Sequence, residues 1–407
     1  MTAPNPALKR SIGSVLLTLY GVGTILGAGI YVLVGEVAGR AGIYAPLSFA
    51  LAALLALFSA FSYAELAARF PVSAGEAVYV EEAFQKPGLS ALIGYLVVTI
   101  GLVSSATLVH GFTRYLGVFV IVPDWLVLGS VTLCLGLIAI WGVKESLSIA
   151  AIMTLVEIFG LLLVVWVGGH NLLERGIDPT ISAGLRTDFP AWSGILGGAF
   201  IAFYAYVGFE DMVNVAEEVK EPQKTLPRSI IVALAVTTFF YFIVSITAVL
   251  VLTPAELTTS SAPLALLYEK ATGSPPIMIS LIGLFAVING ALVQIIMASR
   301  VLYGMGNNGW APRSVAVING KTHTPVHATA LVALAVLLLA LWFPLVTLAQ
   351  ITSFLTLLLF MLINVALIVI KRRTPSVDGV VCYPTAVPWL GVSTIGVFLA
   401  ITLVASL

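Results

Sequence analysis

The sequence predicts an all-α integral membrane protein of about eleven transmembrane helices, arranged as a five-plus-five inverted repeat in which helices one and six are broken. Composition is the first ground. Of 407 residues, 60% are hydrophobic and 9% charged, with a mean hydropathy of +1.09, against roughly 45–50% apolar residues in soluble domains. The second ground is a pair of glycine-interrupted apolar runs at matching places in the two halves. One holds Gly21, Gly23, Gly27 and Gly29 between residues 11 and 37; the other holds Tyr204-Ala205-Tyr206-Val207-Gly208-Phe209-Glu210-Asp211 between residues 192 and 217. Lipid offers no hydrogen bonds, so a span leaves its helix at mid-depth only where protein, ligand or a water-filled cavity satisfies the freed backbone. Matching broken spans point to a transport site.

Apolar runs of about 17–25 residues, the length a bilayer requires, fall near residues 11–37, 44–68, 88–112, 124–142, 146–168, 192–217, 229–252, 275–303, 327–343, 346–370 and 386–406. With the N-terminus cytoplasmic, only Arg40, Arg114, Arg175, Arg186 and Lys270 of the 19 lysines and arginines lie outside, while Lys9, Arg10, Arg69, Lys144, Lys321 and Lys371 are among those inside. That is the asymmetry of the positive-inside rule. The odd span count then puts Leu407 outside the cell. The first run is too long for a signal-peptide core and no small-residue cleavage site follows it, so the first span is expected to be retained. The ninth span is short and Pro344 makes a tight turn into the tenth; merging the two would change the topology of everything after them.

No soluble domain can be cut out, because the longest polar loops, at 169–190, 253–275 and 304–326, are too short to bury a core. The whole chain, 1–407, is expected to be one transporter domain: repeat one about 11–170, repeat two about 190–371, and an extra helix about 386–406. Pro254 suits a first helical turn, so the segment 253–272 is expected to hold a short helix near an extracellular mouth. Residues 71–85 suggest an interfacial helix on the cytoplasmic side, with Val78, Tyr79, Val80 and Phe84 beside Glu76, Glu81 and Glu82. Zero net charge gives no bias toward nucleic acid. Cys134 lies in an apolar run and Cys382 in a loop, which suggests neither a disulfide framework nor a metal site. No cofactor is implied.

Five is odd, so the second set of five spans crosses in the opposite sense to the first and brings the two breaks together near the midplane. Half-helix N-termini expose amides with partial positive charge and C-termini expose carbonyls with partial negative charge. Together they suit a zwitterion. Amides around Gly27, Ala28 and Gly29, with Ile25 beside them, suit a carboxylate; carbonyls of Phe203, Tyr204, Ala205 and Tyr206 suit an ammonium group, with Gly208 letting the ligand reach bare backbone.

Several runs resemble the amino acid/polyamine/organocation transporter family. They are Gly27-Ala28-Gly29-Ile30-Tyr31; Tyr63-Ala64-Glu65-Leu66 with Phe70-Pro71 and Ser73-Ala74-Gly75; Tyr206-Val207-Gly208-Phe209-Glu210 running on through Glu217-Glu218-Val219-Lys220-Glu221-Pro222; and Ala298-Ser299-Arg300 leading into Asn308-Gly309-Trp310. The resemblance covers most of residues 11–371 and implies alternating access by a plasma-membrane carrier. It implies amino acids, polyamines or related amines as substrates, moved by uniport, exchange or proton-linked symport. It also makes Tyr204 an aromatic cap on the outer side of the substrate, and gives Glu210, Glu217, Glu218 and Lys220, followed by Lys224 and Arg228, a part in closing the inside gate. Exposed ion pairs contribute little, so those charges equally suit a plain solvated loop.

The chain departs from the family's common pattern in having eleven spans rather than twelve, and in Glu157. Several members carry lysine at that point of the fifth span, where its ammonium replaces a sodium ion; here the sign is reversed. An acid at helix centre costs on the order of 2.5–3.5 kcal/mol to insert, and such residues mark ion or substrate pathways. Glu157, taken with Gly23, is therefore either a proton-coupling carboxylate, a counter-charge for a cation, or a hydrogen-bonded structural residue. Asp211 is expected to cap the half-helix after the second break, and His110 to be an interfacial histidine. Asn289, Gln294 and Ser299 either line the pathway or bond neighbouring helices. No catalytic group or metal ligand set converges, and isolated polar points in apolar spans speak against a passive channel. The loop between the third and fourth spans has no cysteine for a disulfide-linked heavy subunit.

Overall fold

The computed structural model describes residues 10–72, 75–141, 146–177, 179, 181, 192–320, 322 and 324–406. Among them nine stretches are long and apolar enough to cross a membrane; the first holds two helices, and the shorter apolar helix Val326–Trp342 completes eleven crossings. They are α1 (Ser14–Ala41), α2 (Ala45–Arg69), α4 (Pro87–Leu116), α5 (Asp124–Trp141), α6 (Ser146–Arg175), a sixth span begun by α7 (Trp192–Phe203), then α8 (Pro222–Val251), α11 (Ile277–Asn307), α12 (Val326–Trp342), α13 (Leu345–Arg373) and α14 (Ala386–Ser406). Between them lie α3 (Gly75–Phe84), α9 (Pro254–Thr259) and α10 (Pro263–Thr272). Proline opens α2, α4, α8, α9 and α10, where its missing N–H has no helical partner to lose. Phe343 and Pro344 are extended, so α12 and α13 are separate helices rather than one merged span.

Two groups of helices divide the bundle. The helices α1 and α2 pack on each other and each on both α7 and α8, while α4, α5, α11 and α12 pack on one another; α6 bridges α1, α8 and α11, and α13 lies against α4, α2 and α14. The site lies where the groups face each other.

Two loop expectations are corrected. Residues 253–272 hold two short helices, because Ser260 and Ala262 are non-helical between them. Thr253 and Glu256 form a reciprocal cap on α9 and Lys270 reaches Glu256 at 2.7 Å, tying α9 to α10 over the C-terminal half of α1. The helix α3 is not simply interfacial: Gly75, Glu76, Tyr79, Val80 and Ala83 are buried against α4 and α13.

Near α3, α2 and α13 are joined by a buried charge cluster. Glu65 receives Arg69 at 2.7 Å and Lys371 at 2.7 Å, with no side chain of the three more than 4% exposed. The Tyr383 amide donates to Glu65 at 2.8 Å and Arg69 donates to the Thr374 and Pro375 carbonyls, so the α13–α14 connection is drawn into the cluster. Removing one member of a buried pair strands its partner at about 3–5 kcal/mol. Met1, Leu407, Lys9, Lys144, Arg186, Lys321, Ser73 and Ala74, and the side chain of Ala28, lie outside the described residues.

Candidate functional site

Both breaks are present, and they touch. In α1 the break falls at Gly27, whose φ of 17° and ψ of −143° interrupt an otherwise continuous helix. In the sixth span, α7 gives way to a 3₁₀ turn at Tyr204–Tyr206, an extended Val207, and Gly208 at φ 136°, before a second 3₁₀ stretch at Glu210–Glu218. A Cβ on Gly208 would stand 2.6 Å from the Thr24 carbonyl oxygen, and one on Gly29 would stand 2.6 Å from the Ala205 Cα. Each break is thus seated against the other. Gly29 has no Cβ because backbone lies there, which is a different reason from ligand access; Gly27, by contrast, would point a Cβ into open space.

The freed backbone groups find partners. The Tyr241 hydroxyl of α8 lies 2.5 Å from the Ile25 carbonyl and 2.7 Å from the Ala205 carbonyl, so one hydroxyl serves both breaks. The Thr24 hydroxyl lies 3.0 Å from the Gly208 carbonyl, and Glu210 accepts the Gly208 amide at 2.8 Å. The capping carboxylate is therefore Glu210, pointing back into the break. Asp211 instead accepts from the Gln294 side-chain amide of α11 at 2.7 Å.

A cavity of about 380 Å³, its open mouth included, lies between the breaks and the second helix group. Thr24, Ile25, Gly27 and Gly29 line one side, Tyr204 and Val207 the next. Ser104 and Leu108 of α4 and Gly290, Val293 and Gln294 of α11 close it. The sequence named Ile25, Gly27, Gly29 and Tyr204 for this place and left Gln294 open between lining and bonding; it does both. Thr24, Ser104, Leu108, Val207, Gly290, Val293 and Tyr241 were missed. The side chains of Phe203 and Tyr206 turn away, Phe203 onto Phe360 and Tyr206 onto Tyr241 and the Phe49 carbonyl. Tyr204 is buried, and its hydroxyl donates to the Ser104 carbonyl at 3.2 Å, joining the two helix groups above the cavity. Ser299 bonds within its own helix, and His110 is held by the Ala340 and Phe343 carbonyls near the end of α12.

Glu157 is fully buried on the face of α6 that packs on α1, and neither of its carboxyl oxygens has a hydrogen-bond partner among the described residues. Gly23 fits against Thr154 one turn before it, and Tyr31 donates to the Glu157 backbone carbonyl at 2.9 Å. Glu157 does not line the cavity.

On the face of the bundle where α1 begins, the segment expected to carry gate charges bonds the start of the first span through backbone groups of Glu218 and Lys220. Ser11 and Ile12 donate to the Glu218 carbonyl at 2.9 and 3.0 Å, and Lys220 donates to the Ile12 carbonyl at 2.9 Å, a short parallel bridge. Lys224 pairs with Glu221 at 3.7 Å, both side chains exposed. On the opposite face Arg114 of α4 meets Glu36 of α1 at 3.0 Å.

Residues 12–406 match a family model described as "Amino acid permease". The branched-chain amino acid permease BcaP of Bacillus subtilis (strain 168) is 30% identical, with 92% of this chain and 83% of that one aligned. Cationic amino acid transporter 4, vacuolar, of Arabidopsis thaliana is 28% identical over 92% of this chain and 65% of its own length. Among solved structures, MhsT in complex with L-phenylalanine superposes with a TM-score of 0.65 over 99% of this chain and all of that one at 14% identity, a likeness of fold. A match across nearly the whole length, on a fold of helices broken where the motifs said, makes this chain a member of the amino acid permease family and a permease rather than an enzyme.

Proposed function

We propose that the protein is a secondary transporter that carries amino acids across the cell membrane by alternating access, as a single transporter domain with its N-terminus cytoplasmic. One observation carries the reading: two helix breaks, one from each half of the chain, interlock at Gly29–Ala205 and Gly208–Thr24 and together wall one cavity. The substrate carboxylate is assigned to the backbone around Gly27, Ala28 and Gly29, and its ammonium to carbonyls of the 203–206 segment. The names of the relatives, which include branched-chain and cationic amino acids, support an amino acid substrate. Tyr204 is assigned to the outer closure, and the segment 217–220 to the inner one.

Proton coupling is assigned to Glu157, supported by a buried carboxyl that makes no hydrogen bond among the described residues, beside the broken helix. Counterflow with purified protein in liposomes tests the main reading. Saturable exchange of labelled for unlabelled amino acid is expected; flux that neither saturates nor accelerates with internal substrate would overturn it. Competition adds a second check, since amino acids with a blocked carboxylate should compete poorly if the first break holds that group.

A further inference from the structure

With the two backbone breaks assigned to carboxylate and ammonium, the remaining walls of the cavity are left for the substrate's side chain. They belong to α4 and α11. Leu108, Val293 and Val207 make them apolar, and Gly290 leaves them shallow: a Cβ there would come to 3.2 Å from the Leu108 Cδ1. One polar group stands among them with an unmet need. Gln294 is 6% exposed, its amide nitrogen donates to Asp211 at 2.7 Å, and its carbonyl oxygen Oε1 has no partner among the described residues. A carboxylate only accepts hydrogen bonds, so Asp211 fixes which way the amide points. The nitrogen is held, and the oxygen is a buried acceptor with no partner among the described residues, on a side chain that lines the cavity.

We infer that Gln294, oriented by Asp211, is the specificity-determining residue of the cavity, and that the substrate carries a short neutral side chain with a hydrogen-bond donor, of the hydroxyl or carboxamide class. This rests on the reading of the cavity as an amino acid site. A buried acceptor is costly to leave unpaired, and a ligand donor satisfies it. A buried ammonium or guanidinium needs a facing charge, and among the described residues the acid bonded to this wall, Asp211, is spent on the Gln294 amide and is 2% exposed. An acidic side chain would meet Oε1 with lone pairs on both sides.

The test uses the isosteric pair threonine and valine in liposome exchange with the full-length protein. The wild type is expected to favour threonine by roughly three- to tenfold in apparent affinity, the contribution of one neutral hydrogen bond, and lysine, arginine and glutamate are expected to compete weakly. Gln294→Leu should bring the threonine-to-valine ratio to about one, and Gln294→Glu should admit lysine. Leu108→Ala serves where those variants fold poorly: it should admit leucine and methionine while the threonine-to-valine ratio stays as in the wild type. A wild type that favours valine or takes lysine or arginine over neutral amino acids overturns the inference while leaving the transporter intact. A wild type that exchanges no amino acid overturns the transport reading, and this inference with it.

Discussion

Substituting Gly208 by alanine isolates the contact between the two breaks. The new Cβ would sit 2.6 Å from the Thr24 carbonyl oxygen and 2.7 Å from its carbon, where ordinary contact begins at 3.4 Å, and both obstacles are backbone. Relief therefore requires the second break to move off α1. Overpacking of this kind costs about 1–3 kcal/mol, and a side chain at φ 136° adds about 1–3 kcal/mol of backbone strain. The sum, on the order of 2–6 kcal/mol if the two add, is comparable to the stability of many domains. Gly197→Ala is the control, since its Cβ would meet nothing within 4 Å in α7 and helix propensity favours alanine. Thermal unfolding followed by tryptophan fluorescence, with exchange measured on the same preparations, is expected to show a large loss for Gly208→Ala and none for Gly197→Ala. Adding Thr24→Ala should not rescue it, because trimming a side chain leaves the obstructing carbonyl in place. A Gly208→Ala protein that melts and exchanges like the wild type would refute the interlocked-break geometry.

Tyr241→Phe removes the one hydroxyl that reaches both the Ile25 and Ala205 carbonyls, and is expected to lower stability by about 1–3 kcal/mol and to raise KM; an unchanged melting temperature and KM would count against the bridge. Glu157→Gln should abolish proton-driven accumulation while substrate exchange persists, and unchanged pH dependence of uptake would sink its coupling role. Glu65→Ala leaves Arg69 and Lys371 buried without their shared carboxylate and should cost about 3–5 kcal/mol in thermal or denaturant unfolding. Burial pushes Glu76 on α3 up from the usual 4.5 to about 8, against a lowering by a backbone hydrogen bond and with a smaller upward push from Asp211. The folded state then holds a proton that the unfolded state releases, so stability should fall as pH rises between those values. Glu76→Gln should flatten that slope in a pH series of melting temperatures.

The spans were legible because a helix that crosses lipid must be apolar for its whole length, and the breaks because glycine clusters stand out inside such runs. The Pro344 turn was legible for a similar reason: proline has no amide with which to continue α12. The walls supplied by α4 and α11 were hidden by that same uniformity. A helix that is apolar all round carries no moment to say which face turns inward, so Ser104, Leu108, Gly290 and Val293 looked like any other residues of their spans. Tyr241 was hidden likewise, as one aromatic among Phe239, Phe240 and Phe242. Gly29 was recognised for its missing side chain, but only packing reveals that the space belongs to Ala205. The sequence drew attention to 217–220 by its charges, while the contacts that tie Glu218 and Lys220 to Ser11 and Ile12 are made by amides and carbonyls, which carry no sequence signal.

On the proposal that the segment 217–220 closes the inner side, its backbone bridge sets how often the carrier opens. The bridge between Ser11–Ile12 and Glu218–Lys220 consists of three amide-to-carbonyl bonds, which at about 0.5–1.5 kcal/mol each amount to about 1.5–4.5 kcal/mol. A fastener of that strength comes undone spontaneously between about one time in ten and one in a few thousand, a minor state within reach of thermal motion. It holds no charge for salt to screen, so ionic strength should leave its opening frequency alone. No side chain can be deleted to loosen it either; a proline in place of Ile12 or Lys220, each an amide donor, would cut the thread.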